Sequence, residues 1–159
     1  MPSRAIAVAL TLALGFTATR AGAQPRPKIA VALEGRSEGR PGANAATASL
    51  VAAVRHGLEA MTDVEVVPSD GARRAIWIVA GTAPNAIAAS VIVTERYDRE
   101  TLMVLGVEDE EMAHRMMALQ IVIDHQIFTG RAAPDIAKRI VAAIDTGVFA
   151  RLRALPPKP

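Results

Sequence analysis

The stretch Ala86–Phe128, AIAASVIVTERYDRETLMVLGVEDEEMAHRMMALQIVIDHQIF, constrains the fold more than any other part of this chain. It opens with strict alternation. From Ala88 to Tyr97, Ala89, Val91, Val93, Glu95 and Tyr97 fall on one face and Ser90, Ile92, Thr94 and Arg96 on the other. Period two, with polarity rising towards one end, predicts a half-buried strand whose far end reaches solvent. Asp98-Arg99-Glu100 reads as a turn, and Thr101–Val107 as a second strand completing a β-hairpin. Glu108–Glu111 places four carboxylates where a helix N-terminus would favour them. A helix is then expected to about Phe128, with Met112, Met116, Leu119, Ile123 and Ile127 as its buried stripe.

A strand must pair, and the segments upstream supply partners. Ala75–Ala80 (AIWIVA) is apolar at every position, the pattern of a central strand covered on both faces. Before it, Lys28–Leu33 reads as a strand, Leu50–Met61 as a helix with an apolar stripe, and Val64–Val67 as a strand. This order defines a parallel crossover unit. Pro134 suits the first turn of a last helix, whose Ile136, Ile140, Ile144 and Val148 recur every four residues. The expected fold is therefore α/β: a three-layer, five-stranded mixed sheet with about three helices.

The N-terminus is set apart from this pattern. Arg4, the short apolar run Ala5–Ala18 and the small residues Ala21-Gly22-Ala23 match the three parts of a secretory signal peptide. The run is shorter than the ~20 residues of a membrane span. The expected division is residues 1–23 as signal peptide and 24–159 as one domain, periplasmic or secreted, with no stable membrane span after cleavage. Removing residues 1–23 from the 159 leaves 136, a one-domain length. It also removes Arg4 and Arg20 from 18 Lys and Arg, leaving sixteen cations against sixteen carboxylates. The mature chain then has no net basic character to recruit nucleic acid. With no cysteine, thiol catalysis, lipoprotein acylation and disulfide stapling are all excluded.

No catalytic motif is legible. There is no G-x-S-x-G, no HExxH, and no phosphate-binding glycine pattern. On one long helix, His114 and His125 would face the same way but stand roughly 16 Å apart, too far to share a metal. A hydrolytic site would require Ser69, Ser90 or Thr94 to meet a histidine in space. The expectation is no catalytic residue, no cofactor and no metal. Two places invite contact instead. The Gly-rich segment Glu34–Ala43, with Arg36 and Arg40, precedes a helix and could bind an anion. The expected hairpin tip carries Arg96, Tyr97 and Arg99, residue types favoured at interface centres.

The helix at Leu50–Met61 leading into DVEVVPSD, then AIWIVAGT, SVIVTERYD and the closing DHQIFTG together resemble the N-terminal domain of TolB, a periplasmic component of the Tol-Pal envelope system. The resemblance covers about Lys28–Gly130 and rests on apolar patterning. It implies a five-stranded mixed sheet with helices on both faces and a role in protein–protein contact. TolB itself continues into a β-propeller, whereas here one helix and a proline-rich tail follow. The expected function is a non-enzymatic exported binding or adaptor domain of the cell envelope, with another envelope protein as partner. The alternative is a small periplasmic hydrolase or small-ligand-binding protein with a cleft at the loop end of the sheet.

Overall fold

A computed structural model describes residues 27–37, 43–70 and 72–155. The expected signal peptide and Arg40 lie outside the described residues. Five strands form one mixed sheet in the order β2-β1-β3-β4-β5. They are β1 (Ile29–Ser37), β2 (Val64–Val66), β3 (Arg74–Ala83), β4 (Ala86–Glu95) and β5 (Ile121–Gly130). β1 pairs in parallel with both β2 and β3, whereas β3–β4 and β4–β5 are antiparallel. The α/β class, the five-stranded mixed sheet and the central place of AIWIVA are as the sequence leads one to expect.

Two long helical segments build the core. Helix α1 (Ala43–Glu59) sends Leu50, Val54 and Leu58, all fully buried, onto the sheet. Helix α4 (Ala133–Ile144) sends Ile136, Ile140 and Ile144, starting with Pro134 in its first turn. It continues without interruption through a single π-helical turn (Asp145–Phe149) into α5 (Ala150–Ala154). These side chains meet Val31, Leu33, Ile76, Ile78, Ala80, Ala89, Val91, Val93 and Phe128 in one aliphatic cluster. Gly35 lets α1 approach β1: a Cβ there would come within 2.8 Å of Val51 Cγ2.

The opposite face of the sheet is covered much less. Among the described residues, Ala32, Ala72 and Ala75 form a small buried apolar cluster there, flanked by Val67 and Trp77. The helices expected on both faces are therefore divided unequally. The two long ones share one face, and AIWIVA is shielded fully on that face only.

The structure departs from the sequence-based expectation in three ways. Thr101–Val107 is not a strand. Arg99–Val104 forms helix α2, started by Asp98, whose carboxylate accepts the Thr101 N–H at 2.7 Å. The helix stops at Gly106 (φ +79°), with Val107 N–H donating to Leu102 O and Gly106 N–H to Met103 O. Those paired bonds are a Schellman cap, which glycine permits because it lacks a Cβ. The hairpin instead joins β3 to β4 through Pro84-Asn85, with Asn85 at φ 61°, a conformation Asn tolerates better than most residues.

Secondly, the long helix expected over Glu108–Phe128 is a short helix followed by a strand. Helix α3 (Glu110–Ala118) begins at Asp109, which accepts from Met112 N–H at 2.6 Å. The chain is extended at Leu119 and enters β5 at Ile121. Ile121, Val122 and Ile123 are β-branched and fit a pleated strand better than a helix. Thirdly, β1 runs on to Ser37, so Arg36 belongs to a strand and not to the loop.

Candidate functional site

The weakly covered sheet face is a regular grid, fixed by the registers. Arg36, Val79, Ser90 and Ile127 form one cross-strand row, and Glu34, Trp77, Ile92 and His125 the next. Directly opposed residues in a sheet share a face, so these side chains stand together on the side away from α1 and α4. The Arg36 guanidinium lies over the Trp77 ring, 4.5 Å from its centroid. Trp77 in turn donates Nε1–H to Thr94 Oγ1 at 3.2 Å. A cation held against an indole face is attracted by the ring quadrupole and still presents its guanidinium edge for hydrogen bonding.

On the same face, Ser90 Oγ and His125 Nε2 are 2.9 Å apart. One of the serines whose meeting with a histidine would permit hydrolysis does therefore meet one. Triad chemistry also asks for a group orienting the second imidazole nitrogen and for preorganised oxyanion donors. Asp124 cannot serve, because successive strand residues point to opposite faces. It stands opposite Val93 on the helix-covered face, where its carboxylate accepts from Gln126 Nε2 at 2.8 Å. The β4 backbone around Ser90 is paired on both sides in the β3 and β5 ladders, and His125 N–H donates to Asp124 Oδ1 at 2.9 Å.

Both the edge strand of this face and the connection leading into it expose apolar side chains. β5 is the edge strand of the sheet and exposes Val122 and Ile127, the latter at 70%. In the connection from β4 to β5, Met103, Val104 (84% exposed), Leu105, Met112 and Leu119 are also exposed. The methionines expected in a helix core thus lie partly on the surface, Met116 and Met117 being half-buried. Clustered exposed apolar side chains and an unpaired strand edge are features that contact regions share. It was not legible in advance, because the expected strand Thr101–Val107 would have paired Met103, Val104 and Leu105 in the sheet and the expected helix to Phe128 would have buried the rest.

The residues expected to make contacts are distributed differently from the expectation. Arg36 stands on the open face. Arg96 and Tyr97 are half-buried in the link from β4 to α2, and not at a hairpin tip; Arg96 N–H donates to Arg73 O. Arg99 pairs with Glu110. Nearby, Arg73 bridges Glu95 (2.8 Å) and Asp98, and Arg74 binds Glu95 at 2.6 Å. Burial lowers the Arg74 pKa from its ordinary value, and Glu95 opposes that shift. This network clamps the start of α2 to the ends of β3 and β4. His114 is exposed on α3, and His125 stands on β5, so the two are not on one helix. Glu111 pairs with Arg115, leaving neither of the two carboxylates near His114 as its ion partner. Among the described residues, no group of three or more His, Asp or Glu side chains converges as metal ligands.

At the loop end of the sheet, Gly35, Asn44, Thr47, Ala48 and Val51 line a shallow concavity of about 310 Å³. Among the described residues that line it, none carries a titratable side chain. Among the described residues, no helix is long and apolar enough to cross a membrane.

No protein-family model and no curated protein matches the chain. Among solved structures, the chain is similar to the PelC dodecamer from Paraburkholderia phytofirmans. A single-substitution form of it aligns at TM-score 0.36 and 12% identity, covering 77% of this chain and 89% of that one. A second crystal form aligns at TM-score 0.34 and 12% identity, covering 77% and 93%.

Proposed function

We propose that this protein is a non-enzymatic, exported binding or adaptor domain of the cell envelope. It meets another envelope protein through the open sheet face and the apolar margin beside it. The observation that carries the reading is the exposure of Ile127 on the edge strand β5 and of Val104 and Leu119 in the connection leading into it. An edge strand offers unpaired backbone groups, and the neighbouring aliphatic side chains offer area for a partner to bury. Arg36 and Trp77 supply the polar and aromatic anchors that interfaces favour. The signal-peptide pattern, the balanced mature charge and the resemblance to the TolB N-terminal domain point the same way.

Photo-crosslinking residues placed at Val104 and at Ile127 would test this in intact cells. The expected result is one discrete adduct, lost when Leu119→Glu is added, while a crosslinker on the outer face of α1 at Ala52 gives none. Absence of any discrete adduct at both margin positions would remove the reading. The Ser90–His125 contact favours a second reading, a small hydrolase. Its test is hydrolysis of an activated ester: a rate that falls at least a hundredfold in both Ser90→Ala and His125→Ala supports it, and a rate equal in all three proteins excludes it.

A further inference from the structure

On the other side of the molecule, α1 and α4 lie side by side and leave a groove between their outer surfaces. The floor is set by close helix contact: a Cβ on Gly57 would lie 2.8 Å from Val141 Cγ2. Ala53 and Met61 wall it on the α1 side, and Ala137 and Ala142 on the α4 side. The space measures about 540 Å³ and its walls are overwhelmingly apolar. That is within the ~300–1,000 Å³ of small-molecule sites.

The rim is polar at two exposed points. Lys138 and His56 both border the groove and both are exposed. Lys138 has no ion-pair partner among the described residues. The one carboxylate among its described lining residues, Asp145, is already held by Arg153 Nη1 at 2.6 Å. An apolar trough with an uncompensated cation at its edge complements a molecule with an aliphatic tail and an anionic head.

We infer that the α1–α4 groove binds a single-chain anionic amphiphile, an alkyl carboxylate or alkyl phosphate, with its chain along Ala53, Gly57 and Val141 and its head at Lys138. The occupant is the free amphiphile and not a bilayer. Asp135, one turn before Lys138, and Glu59, at the end of α1, are both exposed beside the rim. They would oppose a flat anionic membrane while leaving room for one headgroup. This binding is independent of the partner contact proposed for the far side of the sheet.

Decanoate titrated into methyl-labelled protein, followed by NMR, is the test. The expected result is saturable shifts of the Ala53, Ala137 and Val141 methyl groups. Lys138→Glu and the milder Lys138→Gln are expected to weaken binding at least fivefold. Ala142→Phe, which fills the trough from an exposed position, is expected to weaken it at least tenfold. Leu119→Glu, on the opposite surface, should leave it unchanged. Decanol and decyltrimethylammonium should bind at least fivefold more weakly than decanoate. The inference is overturned by shifts that do not saturate, by equal binding of the three headgroups, by shifts centred on Met103 and Met112, or by binding to anionic vesicles but not to free decanoate.

Discussion

Gly57→Ala puts two opposing effects on one residue, and the structure decides between them. Alanine is favoured over glycine in a helix interior by about 1 kcal/mol. Gly57 lies in the last turn of α1, which ends at Glu59, so roughly half of that gain is expected there. Against it, the new methyl would stand 2.8 Å from Val141 Cγ2 and 3.6 Å from Val141 Cβ. Carbon atoms prefer about 3.5–4.0 Å. Val141 is β-branched and on a helix, so essentially one χ1 rotamer is open to it and it cannot swing aside. Relief must come from separating the helices, an overpacking cost of about 1–3 kcal/mol. The net expectation is a loss of about 1 kcal/mol, or about 4 °C in Tm for a domain of this size. Val141→Ala alone should cost about 0.8 kcal/mol, because its methyl groups are only half-buried. In the double variant the clash disappears, so it should exceed the additive expectation by about 1–2 kcal/mol. Urea unfolding of the four proteins, followed by far-UV circular dichroism, measures this coupling. A stabilised Gly57→Ala, with a cycle additive to within about 0.4 kcal/mol, would show that α1 and α4 do not touch at this point.

Three further outcomes are expected. Leu102→Ala should cost about 2–5 kcal/mol, whereas Met103→Ala should stay within about 0.5 kcal/mol, since Leu102 is fully buried and Met103 is 65% exposed; similar losses by thermal unfolding would refute that placement of α2. Hydrogen bonds from Arg153 hold the Asp63 carboxyl below its usual pKa. The stabilisation this gives is complete above the ~3.9 of an unfolded aspartate and is lost as pH falls through the lowered folded value. Urea midpoints should therefore drop less between pH 7 and pH 3 in Arg153→Gln than in the parent, and equal drops would refute the linkage. N-terminal sequencing of the exported protein should begin at Gln24; a product still carrying Met1 would refute cleavage.

The first part of the chain was legible because its two periods never compete. The stripe Leu50, Val54, Leu58 fits only a helix, and Ala89, Val91, Val93 only a strand; both are buried as those periods require. From Arg99 onward the periods overlap. Met112, Met116, Leu119, Ile123 and Ile127 satisfy helical spacing by coincidence, and no Gly or Pro lies between Ala118 and Ile121 to mark a break. The available signals were local: Asp98 and Asp109 as caps, Gly106 as a stop, and the β-branched run Ile121–Ile123. The open face was less legible still. Ser90 and His125 are 35 residues apart, and they meet only because β5 pairs with β4 in one particular register. Arg36 reaches Trp77 only because β1 continues past the point where its apolar run ends.

The π-helical turn at Asp145–Phe149 has a geometric consequence for the end of the chain. Ile136, Ile140, Ile144, Val148 and Leu152 recur every four residues. In a uniform helix of 3.6 residues per turn, four such steps would rotate the stripe by about 160°, carrying its last members round to solvent. The wider turn, in which Ala150 N–H reaches back five residues to Asp145 O, absorbs one extra residue and so takes back about 100° of that drift. Val148 and Phe149 remain buried, and Leu152 still packs against the core. The same phase correction brings Arg153 round to bind both Asp145 and Asp63. A one-residue deletion within 145–149 would restore regular winding and swing that arginine about a quarter-turn from its partners, unlatching the end of the chain from the start of β2.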